Sequence, residues 1–146
     1  MDESLKYMLM CEKATDIQRR WKCEQGDWVY WKKKLEKVRV GIHVVGSRII
    51  PINNDRYSYH VQRNDYNSYD YAERKDIIWL PRQDQLQGMI LEMFNPYIHL
   101  DEFYKFADKH FDFGSLEQIW LLFVMNYIDE KGWDVNKQEW VSVRGD

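Results

Sequence analysis

Four histidines and two cysteines are the residues best suited to catalysis or metal binding in this 146-residue chain, and their spacing serves neither purpose. His43, His60, His99 and His110 form no HxH, HExxH or paired-cysteine constellation, so structural roles are expected for each. Cys11 and Cys23 match neither a redox pair nor a zinc half-site, and a nucleophilic cysteine would need a distant histidine. The seven glycines never assemble into a phosphate-cradling loop, which argues against nucleotide hydrolysis. The acidic pairs Asp101-Glu102 and Asp129-Glu130 fall at expected helix ends, where the first pair would complement the helix dipole. The expectation is a non-enzymatic protein with no catalytic residues, no metal ligands and no cofactor. Only convergence of distant groups, such as His43 or His60 with acidic side chains, would make it an enzyme.

Two segments are better suited to binding. Tyr57, Tyr59, Tyr66, Tyr69 and Tyr71 lie among Ser, Asn and Asp, a composition that makes adaptable protein contacts. The alternative is Trp28-Val-Tyr-Trp-Lys-Lys-Lys34 with Arg39 beyond it. Trp28, Trp31, Lys32, Lys33, Lys34 and Arg39 mix aromatic faces with cations, as single-strand nucleic-acid surfaces do. The competing structural explanation is a half-buried strand whose lysines protect its edge.

Charge favours the protein-binding reading. The chain has net charge −3, with 11 Lys/Arg against 7 Asp/Glu in residues 1–50 and 10 against 17 in residues 51–146. That balance is not basic enough for strong DNA binding. The terminal Arg144-Gly-Asp146 matches an adhesion tripeptide, which coincidence explains better. The first residues lack a secretory leader, no segment reaches membrane-spanning length, and two cysteines suit a reducing compartment. A cytoplasmic protein with no membrane partner is expected.

These residues must be positioned by a core, and seven Trp, ten Tyr and six Phe supply it generously. Ser115 to Ile128 reads as a central helix. Ser115 and Gln118 make a reciprocal capping box, Leu116 and Ile119 to Met125 leave little polar face, and Gly132 suits the left-handed terminus. Ahead of it, Glu3–Lys22 has the spacing of one amphipathic helix. Trp28–Trp31, Val38–Val45, Arg48–Ile52 and Tyr57–Val61 read as strands of an antiparallel meander, with Lys32–Lys37 as an exposed turn or strand extension. Residues 62–76 read as an extended loop and Ile77–Leu80 as a short buried strand.

Pro81 is placed at a first helical position, followed by the stripe Leu86, Met89, Ile90 and Met93 and a stop before Pro96. Asp101–His110 gives a further helix, and Gln138–Val143 a terminal strand able to return to the sheet. The predicted fold is α+β in one domain spanning residues 1–146: an N-terminal helix, a small antiparallel sheet or partly open barrel, C-terminal helices around a buried core helix, and a terminal strand.

Several segments also carry a family resemblance. Asp16-Ile-Gln-Arg-Arg-Trp21, Gly26-Asp-Trp-Val29, Trp79-Leu-Pro-Arg-Gln-Asp-Gln-Leu-Gln87 and Leu116-Glu-Gln-Ile-Trp-Leu-Leu-Phe-Val-Met125, with Trp133 and Trp140, resemble a family of small proteins encoded in phages and prophages of Gram-positive and gut bacteria. The resemblance implies a genomic origin and transfers no catalytic residue. Together with the residue pattern it leads to the expectation of a non-enzymatic phage accessory protein that binds a host or phage protein in the bacterial cytoplasm, interference with a host system being one version of that role.

Overall fold

The computed structural model describes residues 2–22, 24, 26–40, 58–62, 69–93 and 96–144. They form an α+β fold of five α-helices and two antiparallel sheets. The contacts within the chain gather into two compact units, residues 1–19 with 81–146 and residues 20–80.

In the first unit the axis is α5 (Leu116–Asp129), in which the eight consecutive residues Gln118 to Met125 are all buried. A helix without a polar face must be enclosed on every side. Leu116 belongs to the first turn, ahead of that enclosure, and is 45% exposed. Ser115 Oγ accepts the Gln118 amide at 3.2 Å, as expected of the cap. The reciprocal half of the box is absent, because Gln118 Nε2 instead donates to Asp2 Oδ2 at 2.5 Å and Ser4 Oγ at 3.2 Å. Glu130, not Gly132, takes the left-handed position at the end, with φ 53° and its amide bonded to Met125 O. Gly132 serves close packing: a Cβ there would meet Val143 Cγ1 at 2.9 Å.

The helices α1 (Leu5–Lys13), α3 (Gln83–Met93) and α4 (Pro96–Lys109) all pack on α5. Within α3 Leu86 and Ile90 are buried, as the stripe predicts. Its cap is Arg82, whose amide donates to Gln85 Oε1 at 2.9 Å while its carbonyl accepts from Leu86. Pro81 therefore precedes the cap, and it is Pro96 that occupies a first helical position, opening α4 (Pro96–Lys109). Phe103 on α4 stacks on Trp120 with ring centroids 3.6 Å apart and planes 7° from parallel, and Phe123 meets both rings edge-on. A 3-10 turn at Phe111–Phe113 and Gly114, at φ 126°, lead into α5.

The expected N-terminal helix is two, α1 (Leu5–Lys13) and α2 (Thr15–Arg20), because the chain leaves helical geometry at Ala14, whose ψ is 63°. Tyr7, Met10 and Cys11 are its buried residues, and Tyr7 Oη donates to Pro81 O at 2.5 Å. The terminal strand β7 (Glu139–Ser142) pairs with β6 (Lys131–Asp134) rather than with the larger sheet. Trp133 and Trp140 form a cross-strand T-shaped pair in this hairpin, which Trp140 Nε1 fastens to Met10 O at 3.0 Å and Lys131 to Asp16 at 2.5 Å.

The second unit is an open antiparallel sheet, among the described residues, of order β4-β3-β2-β1-β5. Its strands are β1 (Trp28–Trp31), β2 (Glu36–Val40), β3 (Ser58–Gln62), β4 (Tyr69–Glu73) and β5 (Ile77–Trp79). The strand β4 replaces part of the loop expected at 62–76, while the expected strand Arg48–Ile52 and the end of Val38–Val45 lie outside the described residues. Before β1, Gly26 at φ 88° turns the chain so that Asp27, almost wholly buried, accepts from Trp21 Nε1 at 2.7 Å and the Glu24 amide at 2.9 Å. Trp21 then stacks on Trp79, with Arg74 over its ring.

If α5 is the core of its unit, Leu121→Ala lowers stability by about 3–5 kcal/mol. Truncating the exposed Leu91 on α3 changes it by less than about 0.5 kcal/mol. Urea unfolding of the two variants beside the wild type measures both.

Candidate functional site

The β1–β2 hairpin closes through Lys32-Lys33-Lys34-Leu35. The Lys34 amide donates to Trp31 O at 3.1 Å, and the next residue, Leu35, reverses the chain at φ 54°. This is a four-residue connection built on a β-turn, with its last residue left-handed. All four side chains are exposed. The base is held by the Lys32 amide donating to Asp76 O at 2.8 Å and by the Lys33–Asp76 ion pair at 2.7 Å. The hydrogen bond to Asp76 raises Lys33 above the ordinary lysine pKa.

Of the residues expected to form a nucleic-acid platform, the structure gathers the lysines but withdraws a ring. Burial alternates along β1, so Trp31 is only 4% exposed and offers no face for a base. Lys34 Nζ lies 5.8 Å from its ring centroid. Trp28 is half-buried with Lys37 Nζ 4.1 Å over its ring, and Arg39 is paired with Trp28 in the ladder. The residue that sequence reasoning missed is Leu35. Its signal was an aliphatic side chain inside a lysine turn.

The tyrosines divide. Tyr59 lies on β3, and Tyr69 and Tyr71 on β4, with register Tyr59↔Ala72, His60↔Tyr71 and Gln62↔Tyr69. Tyr57 and Tyr66 lie outside the described residues. Because β4 is last in the strand order, it pairs on one side only among the described strands. The hairpin thus brings three of the five tyrosines to one margin of the sheet.

Of the remaining histidines and cysteines, His110 and Cys11 have described side chains. His110 stacks on Phe106, with Nδ1 2.8 Å from Phe106 O, at the end of α4. His43 lies outside the described residues, and His60 and His99 are placed on β3 and α4 by their backbone. Burial pushes the Cys11 thiol far up, which disfavours the nucleophilic thiolate; Cys23 lies outside the described residues. Asp101 and Glu102 lie beyond the first turn of α4, so the dipole does not account for them. Asp101 instead pairs with Lys105 at 2.9 Å, and Glu102 accepts from Tyr127. Glu130 pairs with Arg144 of the terminal tripeptide. Among the described residues no three His, Cys, Asp or Glu gather to hold a metal, and no helix is long and apolar enough to cross a membrane.

One carboxylate is built into the frame. Asp2 accepts from Ser115 Oγ, Gln118 Nε2 and the Ser4 amide, so it links the caps of α1 and α5. Partial burial raises its pKa, but these hydrogen bonds outweigh burial and leave it below the ordinary 3.8. Comparison with known protein families, with characterised proteins and with solved structures finds no match to this chain.

Because the native pKa of Asp2 is depressed, the stability it contributes is complete above 3.8 and is lost as pH falls through the lower native value. Urea midpoints followed from neutral pH down past that range should drop in the wild type. Asp2→Asn should start lower at neutral pH and show a shallower acid limb. Parallel acid limbs would contradict the role given to Asp2.

Proposed function

We propose that this chain is a phage or prophage accessory protein that acts in the bacterial cytoplasm by binding a host or phage protein, not by catalysis. The observation that carries this reading is the β3–β4 hairpin, which sets Tyr59, Tyr69 and Tyr71 in neighbouring strands and leaves β4 as the marginal strand among those described. A marginal strand can accept a partner strand through main-chain hydrogen bonds. Tyrosines add large contact area at low conformational cost. Interference with a bacterial defence system is one form such binding would take. The genomic origin rests on the resemblance of the Trp79–Gln87 and Leu116–Met125 segments.

Pull-down from bacterial lysate with chemical crosslinking tests it. The wild type is expected to retain a stoichiometric protein partner. Tyr59→Ser, Tyr69→Ser and Tyr71→Ser combined should weaken retention by at least about tenfold, with far-UV circular dichroism checking that the variant stays folded. Retention unaffected by the three substitutions would remove the hairpin from the account.

A further inference from the structure

We propose that the β1–β2 turn is a docking tip for an anionic lipid surface, in which Leu35 enters the headgroup region while Lys32, Lys33 and Lys34 gather anionic headgroups around it. Leu35 is 76% exposed and holds φ 54°, a backbone conformation that glycine or asparagine adopts at lower cost. Folding alone does not favour an aliphatic side chain there: it gains no burial and strains the backbone. The exposure is accounted for if the side chain is buried in something outside the protein.

Charge identifies that something as anionic. Residues 32–37 hold four lysines against one glutamate, and with Asp76, which pairs with Lys33, the turn keeps a net +2 in a chain whose total is −3. An anionic surface would therefore attract this turn. The tip is also rigid at its base, through the Lys34–Trp31 turn bond and the contacts of Lys32 and Lys33 with Asp76.

A lipid surface suits these residues better than a nucleic acid does. The exposed apolar group is aliphatic, whereas Trp31, the ring nearest the tip, is buried and unable to stack on a base. Lys32, Lys33 and Lys34 are all exposed, and a laterally continuous field of mobile charges can meet neighbouring cations without a fixed arrangement. Spanning length bears only on transmembrane insertion. Surface docking requires none.

The experiment sediments the full chain with vesicles of phosphatidylcholine alone and of phosphatidylcholine mixed with phosphatidylglycerol. Binding is expected only to the mixed vesicles, weakening with added salt. K32A/K33A/K34A should lose at least about tenfold in partitioning. Leu35→Gly relieves the backbone while deleting the apolar contact, so it should lose about tenfold in partitioning with a thermal midpoint no lower than the wild type's. Equal binding to neutral vesicles, no binding to either, or undiminished binding by Leu35→Gly would overturn the proposal. Retention on oligothymidylate that depends on the three lysines and ignores Leu35 would also overturn it, assigning the turn to nucleic acid.

Discussion

The enclosure of Gln118 to Met125 is the constraint on which the first unit depends. Eight consecutive buried positions cover more than two turns of helix, so α5 needs neighbours on every side, and α1, α3, α4 and the β6–β7 hairpin are arranged to supply them. The Phe103–Trp120 stack closes one of those sides with two large rings in parallel. The start of the helix is held by polar contacts, with Ser115 capping it and Asp2 joining that cap to Ser4 at the head of α1. Apolar burial thus sets what surrounds the helix, and a small hydrogen-bonded cluster sets where the N-terminal segment lies.

The second unit follows a different logic. Its sheet is held by ladders and by one buried turn, where Asp27 collects the Trp21 indole and the Glu24 amide. Along β1 the apolar alternation buries Val29 and Trp31 and sends the following lysines into solvent. The two candidate surfaces lie on this sheet, one at the β1–β2 turn and the other at the β3–β4 margin. Surface elements on a supported scaffold of this kind can vary without disturbing the core.

How much of this was legible from residues alone depended on the range of the interactions. The apolar run of α5, the Ser115 cap, the Leu86/Ile90 stripe and the strand Ile77–Trp79 are local patterns, and each was readable. What was missed came from partners distant in sequence. Gln118 abandons its local capping bond for Asp2, more than a hundred residues away. Lys131–Asp134 becomes a strand because Glu139–Ser142 folds onto it, although Lys-Gly-Trp-Asp has weak strand character of its own. Tyr69–Glu73 was obscured by its polar neighbours and is fixed by its ladder with Ser58–Gln62. At the candidate site the lysines were apparent, but the burial of Trp31 and the exposure of Leu35 depend on strand register and turn geometry, which composition does not carry.

The most direct measurement of the central claim, that α5 is the sequestered core while the lysine turn stays outside it, is native-state hydrogen exchange resolved by residue. Amides of Leu121 to Met125 are expected to exchange only through global unfolding, the slowest class in the protein, with Lys33 and Leu35 among the fastest. Rapid exchange along α5 in the isolated chain, comparable to that of the turn, would contradict the account and make the presumed interior a contact surface in its own right.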